Sequence, residues 1–366
     1  MYQLNITMTL KLKEAQNLYK EFLIIQNDKA CATSLSDLTD GVVKHDCITR
    51  TLNTSTLNSK DVWKASKMIT KQSKNNILSI DNSILQKPHS NTNEIINWFY
   101  DHTESRAVKG INLISAVMIN DNHVVPIGYD IQTKDIINIV KDEDGNDKLK
   151  RQARYSINEI ARQIVKTAIN NVSFDYLTAD RWFASKENLT FFNQNKIKYV
   201  IGITSNRLVA KNRQDLKSGN YTRIKDLGLK ENGSTKVYLK DVQSMVVVTR
   251  IVFKNGNTIT GEIYLITNDL SLASNHISDI YQKRWEIEVY HKSIKQNVSI
   301  CKSPTKIAIS QKNHLCLALL AFIELEKLKL VSSSNHYALK RKMIIAANKA
   351  SYEELQKMKT KFKMIA

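Results

Sequence analysis

Three carboxylates occupy positions where an acid could do chemistry. Asp81 interrupts the apolar run Ile77-Leu-Ser-Ile-Asp-Asn-Ser-Ile-Leu85, Asp180 follows the strand-like residues 174–179, and Glu288 lies within the late stretch 281–295. Burying an unpaired carboxylate in an apolar strand is costly, so Asp81 requires a partner. A metal ion is one candidate; a water-facing strand edge or a pair with Lys87 is the other. Hard cations such as Mg²⁺ take oxygen ligands from a few carboxylates and a substrate phosphate. Two such ions roughly 3.5–4 Å apart activate a nucleophile and stabilise the leaving oxygen in an in-line displacement. Asp81, Asp180 and Glu288 are therefore the candidate catalytic residues and metal ligands, if separate elements bring them together.

The stretch Tyr281-Gln-Lys-Arg-Trp-Glu-Ile-Glu-Val-Tyr-His-Lys-Ser-Ile-Lys295 contains neither proline nor glycine and reads as one long helix. At about 100° per residue, Tyr281, Arg284, Glu288 and Lys295 fall at roughly 0, 300, 340 and 320°. Four functional side chains thus share one stripe, where an ordinary amphipathic helix would carry Leu or Ile. A solvated charged face is the plainer reading of the same spacing.

The elements that must position these groups follow from pattern. Residues 13–26 form an apolar-repeating helix. Ser34 or Ser36 can cap a short helix, Asp40-Gly41 makes a turn, and another helix begins near Lys44, giving a helix-turn-helix layout or a plain helical hairpin. Leu35, Leu38, Val42, Ile48 and Leu52 are spaced as its core, leaving Lys44, His45, Thr49 and Arg50 for DNA. Strands are expected at 77–85, 110–119, 124–131, 174–178 and 198–204, with helices at 156–171 and 186–194. Asn120-Asp121-Asn122 is the expected turn of a hairpin, and 142–150 a charged loop. That order is the order of a ribonuclease H-like α/β domain, a mixed sheet covered by helices. Residues 205–266 break it with glycines and β-branched runs, as a β-rich insertion. Residues 313–366 are helical and strongly basic.

Composition narrows the function classes. Lys plus Arg total 54 against 35 Asp plus Glu, a net charge of +19, and such a field attracts polyanions. No apolar run reaches the roughly 18 residues of a membrane span, so nucleic acid is favoured over membrane as the partner. The N-terminus lacks a signal-peptide layout. Cys31, Cys47, Cys301 and Cys316 show no CxxC spacing, which argues against zinc or disulfides and for a reducing cytoplasm. No glycine-rich phosphate loop supports ATP use.

Spacing and local strings then converge on one resemblance. Tyr281, Arg284, Glu288 and Lys295 match the Tyr-(2)-Arg-(3)-Glu-(6)-Lys signature of the insertion-sequence-4 family of DDE transposases. Ile80-Asp-Asn-Ser-Ile-Leu-Gln-Lys-Pro88 resembles that family's first Asp motif and Ala179-Asp-Arg-Trp-Phe183 its second, although Asn82-Ser83 stands where many relatives have Asp-Thr. The likeness spans about residues 75–330. It implies a ribonuclease H-like catalytic core at 73–204 and 268–330, interrupted by the insertion at 205–267. A helical DNA-binding domain at 1–72 precedes it and a basic helical tail at 331–366 follows. It further implies Mg²⁺, with Mn²⁺ as a substitute; Asp81 bridges both ions, and Asp180 and Glu288 complete one site each. The partner is double-stranded DNA, both transposon ends and target, bound by a homodimer in the bacterial cytoplasm at the nucleoid. Arg284, Lys295 and Tyr281 would hold the end's backbone. In relatives a Trp stacks on a flipped base, a role open here to Trp182 or Trp285, each otherwise a core aromatic.

Overall fold

The computed structural model describes residues 10–70, 75–102, 104–120, 123–141, 144–256 and 258–365. Among these, four helices lead: α1 (Leu12–Ile25), α2 (Ala32–Leu38), α3 (His45–Thr54) and α4 (Ser59–Thr70). Strands β1 (Ile77–Gln86), β2 (Asn97–Asp101), β3 (Arg106–Ile119), β4 (Val124–Ile131), β5 (Ile136–Lys141) and β6 (Asp147–Gln152) follow. Next come α5 (Ile157–Ala168), β7 (Tyr176–Ala179), α6 (Lys186–Gln194), β8 (Tyr199–Ile203), β9 (Leu208–Ala210), α7 (Arg213–Ser218) and β10 (Thr222–Arg223). The remainder is β11 (Ser234–Leu239), β12 (Met245–Asn255), β13 (Thr258–Thr267), α8 (Ser274–Gln282), α9 (Trp285–Asn297), α10 (Ala308–Ser332) and α11 (His336–Ile365). The chain divides into a helical unit (Met1–Ala65, Leu85–Asn91 and Tyr290–Ala366) and a sheet-based unit (Ser66–Ile84 and Thr92–Val289).

The sheet unit is a mixed α/β structure. Its large sheet runs β10-β9-β11-β12-β13-β8-β7-β1-β3-β2, with β4 paired to β3. β1, β7 and β8 are parallel, as the registers Ile80↔Ala179 and Ala179↔Ile201 show, and the other described pairs are antiparallel. Strands buried on both faces read as continuous apolar runs, and all five residues of β8 are buried. α5 begins with a capping box in which Ser156 accepts from the Glu159 N–H and the Glu159 carboxylate accepts from the Ser156 N–H; such reciprocal caps satisfy two otherwise orphaned donors. Ile160, Ala161, Ile164, Val165 and Ala168 make its buried stripe, which packs on β3 and β4. The β-rich segment joins the same sheet, because β13 pairs with β8 from Tyr264↔Ile203 to Thr267↔Val200. Ile277 of α8 packs into the cluster of Val200, Val247 and Leu265, with Ile280 and Tyr281 beside it.

In the helical unit, α10 carries the run Leu315–Leu325, buried except for the half-exposed Leu320 and Glu324, and packs against α1 and α3. Asn313 ends α3 from a distance. Its side-chain amide donates to the carbonyls of Leu52 (2.8 Å) and Ser55 (2.7 Å) and accepts from the Leu57 N–H at 3.1 Å. Carbonyls near the end of α1 are met in a similar way by Lys340, which bonds Ile24 O and Gln26 O.

Several expectations need correcting. α2 is capped by Cys31, whose sulfur accepts from the Ser34 N–H, rather than by Ser34 or Ser36. Leu38 and Val42 are exposed; Leu35, Val43, Ile48 and Leu52 are the buried positions of that region. The turn at Asp40-Gly41 puts both residues at positive φ, which rotates Val42 outward and Val43 inward. Of the loop expected at 142–150, residues 147–150 are strand, since β5 and β6 form a hairpin paired from Ile136↔Gln152 to Lys141↔Asp147, and residues 142 and 143 lie outside the described residues. The apolar residues of β5 alternate too weakly to mark it as a strand, because both of its faces are open to solvent. Of the turn expected at Asn120-Asp121-Asn122, Asp121 and Asn122 lie outside the described residues. Finally, 281–295 is not one helix: α8 ends at Gln282 and α9 starts at Trp285. The join is a tight turn, in which Arg284 N–H bonds Tyr281 O and Ile287 N–H bonds Arg284 O, both at 3.0 Å. These i→i+3 bonds wind more tightly than an α-helix, so the expected stripe does not run continuously across Arg284.

Candidate active site

The parallel registers place the first two carboxylates. Ile80 pairs with Ala179, and Ala179 with Ile201, where the parallel ladders stop. One residue further along each strand are Asp81, Asp180 and Gly202, in line across the sheet at its carboxyl end. Of the three strands only β7 ends there, since β1 runs on to Gln86 and β8 to Ile203; open sheets place their ligands where parallel pairing stops in this way.

Each carboxylate is fixed by its own backbone neighbourhood. Asp81 Oδ1 accepts from the Asn82 N–H at 2.8 Å. Asp180 caps a single 3₁₀ turn, Arg181–Phe183, accepting from the Trp182 N–H at 2.8 Å. Burial and the neighbouring Asp180 carboxylate push Asp81 up to about 7. Asp180 is also raised, by burial, against the pull of the Trp182 N–H and of Arg284. Burial favours the protonated form of each acid, and a nearby positive charge opposes it.

Arg284 supplies part of that charge. Its guanidinium acts electrostatically on both aspartates and pairs with Glu288 at 2.5 Å. It also lies 5.4 Å from the Tyr281 ring centroid. Its Nε is buried with no hydrogen-bond partner among the described residues, leaving one donor of the planar fork unspent. Glu288 is therefore near the two aspartates, but its carboxylate is turned to Arg284. Among the described residues, no three Asp, Glu, His or Cys side chains stand at metal-holding spacing. Asp81 and Asp180 nonetheless offer the hard oxygen donors that Mg²⁺ or Mn²⁺ prefer.

Sequence reasoning passed over Gly202. A Cβ there would meet the Arg181 N at 3.0 Å and the Tyr281 hydroxyl at 3.1 Å. The glycine thus lets the turn after Asp180 and the end of α8 close against β8. A lone glycine inside a strand was the available signal, since it often marks close backbone approach. Gly202, Asp180, Arg181, Tyr281, Glu262 and Tyr264 line a cleft of about 430 Å³. Asn82 also has a role. It donates to Asn112 at 2.9 Å, which donates to Gln132 at 3.0 Å, an amide chain that ties β1 to β3 next to Asp81.

The other candidates divide by location. Trp182 is 54% exposed and Trp285 61% exposed, so neither is a core aromatic. Lys87 is not an ion-pair partner for Asp81, because its ammonium donates to Cys301 O and Ser303 O, both at 2.9 Å. Lys295 is half-buried and belongs to the helical unit. Lys44 at the N-cap of α3, His45 in its first turn and Thr49 and Arg50 in its middle are all exposed, with His45 set 2.9 Å from Asp46. No helix among the described residues is long and apolar enough to cross a membrane.

No curated protein matches the chain. The family model for the transposase DDE domain matches residues 73–323, a span that holds Asp81, Asp180, Gly202, Arg284 and Glu288. The chain belongs to the transposase DDE domain family.

Proposed function

We propose that the protein is a transposase of the insertion-sequence-4 type, with a ribonuclease H-like core. It binds the terminal inverted repeats of its element and catalyses divalent-metal-dependent DNA cleavage and strand transfer. The observation that carries this reading is the placement of Asp81 and Asp180 side by side at the carboxyl end of parallel strands, with Arg284 and Glu288 adjoining them. Asp81, Asp180 and Glu288 would hold Mg²⁺ or Mn²⁺. Such ions, when bound, activate the attacking oxygen and stabilise the leaving one.

The chain's own residues supply the rest. Arg284 is shared between Glu288 and the aspartates, and a DNA phosphate competes for it, since guanidinium–phosphate pairs are charge-assisted and often bidentate. Taking Arg284 onto phosphate frees the Glu288 carboxylate to turn toward Asp81 and Asp180, so that the ligand set completes only on DNA. Tyr281, pressed against Gly202, positions the cleft wall. Lys44, His45, Thr49 and Arg50 present the α3 N-terminus to base edges, and Lys295 adds a phosphate contact. The protein works in the cytoplasm as a homodimer on paired ends.

Incubation with the element's flanking ends, a target plasmid and Mg²⁺ tests this. The expected products are cut ends and joined target. Cutting without joining would mean a nuclease, and Glu288→Gln retaining full cleavage would remove Glu288 from the ligand set.

A further inference from the structure

β2 is the terminal strand of the large sheet on the β1–β3 side. Its inward residues are conventional: Asn97 and Phe99 are buried, and Phe99 packs with Ile84 and Val108. The outward positions of an edge strand ordinarily carry polar or charged groups, which discourage association. Here they carry Trp98, 53% exposed, and Tyr100, 57% exposed. The facing residues on β3 are Lys109 opposite Trp98 and Ala107 opposite Tyr100. Lys109 Nζ sits 5.9 Å from the Trp98 ring centroid, while Ala107 is too small to cover the Tyr100 ring.

The row continues toward the carboxylates. Tyr100 contacts His102 edge-on at 4.9 Å between centroids, and His102 contacts Trp182 at 5.7 Å. Trp182 in turn donates its backbone N–H to Asp180. Four aromatic rings therefore lead from the sheet edge to a catalytic carboxylate, with Lys109 beside the first and the exposed Arg181 beside the last. Every nucleobase has a flat π-face, so exposed rings next to cations bind unpaired strands with little sequence preference. A duplex offers stacked, covered bases and gains nothing from such rings.

We propose that Trp98, Tyr100, His102 and Trp182 form a stacking track for several unpaired nucleotides of a DNA strand leading to the carboxylate site. The inference rests on the reading of that site as the point of strand cleavage, and it adds a ligand class, single-stranded DNA, to the duplex ends. The charge fits this occupant: the row is flanked by Lys109 and Arg181 within a chain of net charge +19.

The full-length chain, in EDTA to prevent cutting, is titrated with a labelled blunt duplex and with the same duplex carrying a six-nucleotide oligo-dT extension. Stacking contributes about 1–3 kcal/mol per base, so the extension should tighten binding by roughly tenfold or more and should quench tryptophan fluorescence. Trp98→Ser and Tyr100→Ser alter rings on the solvent face and leave the Phe99 side intact. Together they should abolish the gain from the extension while the blunt duplex binds as before. Equal affinity of the wild-type chain for both probes overturns the track, as does a double variant that keeps the full gain. A double variant that loses self-association but shows no change with either probe assigns the row to a protein partner and also overturns it. Cleavage assays with Mg²⁺, run in parallel, keep the two readings apart. Cleavage without any extension preference rejects the track alone, and preference without cleavage rejects the transposase reading alone.

Discussion

At the amino ends of β7 and β8, Asp269 accepts a hydrogen bond from the Tyr176 hydroxyl at 2.9 Å and pairs with Lys198 at 2.8 Å, and its other oxygen accepts from Ser271. Past the carboxyl end of β7, Asp180 stands beside Asp81 of β1, and Arg284 acts on both while pairing with Glu288. Lys198, Ser271 and Tyr176 hold Asp269 well below the usual carboxylate range, whereas burial and Asp180 push Asp81 up to about 7. One sheet thus carries an acid satisfied by its surroundings at one end and acids in excess at the other. Asp269 stabilises the fold. Asp81 and Asp180 are held together against their mutual repulsion, and that arrangement persists because the rest of the sheet enforces it.

The largest expected effect comes from exchanging the two kinds of acid for amides. Asp81→Asn should lower cleavage by on the order of 10³-fold or more, the scale of several kcal/mol of lost transition-state stabilisation. Its metal-free thermal midpoint should stay level or rise, because a repulsion is removed. Asp269→Asn should leave cleavage rates unchanged and cost about 1–3 kcal/mol of stability, the usual penalty for unmaking buried or charged hydrogen bonds. Nicking assays and thermal melts on both variants read the pair. Equal loss of stability in the two would erase the distinction between the ends.

A second, smaller effect is the opposite pH dependence of the two acids. A model carboxylate titrates near 4, and Asp81 near 7 when folded. Between those values the folded chain keeps a proton that the unfolded chain has released. The stability tied to that proton is complete below about pH 4 and is lost as the pH rises through about 7. Asp269 has the reverse sign: its stabilisation is present above the ordinary carboxylate range and is lost as the pH falls beneath it. Denaturant midpoints of the wild-type chain relative to Asp81→Asn, taken in EDTA from about pH 4 to pH 8, should therefore fall as the pH rises. A flat difference would mean that Asp81 is an ordinary carboxylate.

The two ends also differ in how plainly the sequence announces them. Asp81 shows as a charge in an apolar strand, Asp180 as a charge at a strand end, and the spacing from Tyr281 to Lys295 marks the late helix. Local pattern therefore finds α1, α6, β7 and β8 within a residue or two and α5 within three. Cross-strand relations have no local mark. That Ala179 sits between Ile80 and Ile201 is a property of register, and Gly202 gains its meaning only from Arg181 and Tyr281 arriving beside it. The break at Lys283-Arg284 is hidden for a similar reason, since no proline or glycine interrupts the run. Asn313 reads as one polar residue in a helix until its amide meets the end of α3, some 260 residues earlier in the chain. Asp269 and Lys198, 71 positions apart (269 − 198), give no hint of each other either.

The smallest expected effect isolates the surface part of the satisfied end. Lys198 is 58% exposed and sits 5.8 Å from the Tyr176 ring centroid. Exposed ion pairs contribute about 0.2–1 kcal/mol, because water screens them and the long side chain loses freedom in forming them. Lys198→Met keeps the aliphatic stem against Tyr176 and removes only the charge. Asp269 then retains its bonds from Ser271 and Tyr176. The variant should melt slightly below wild type at low ionic strength, and the difference should shrink as salt is raised. Cleavage should be unaffected, because the change lies at the amino end of the strands. A drop in cleavage with unchanged melting would instead show that this end also handles DNA, and the division between the two ends would have to be redrawn.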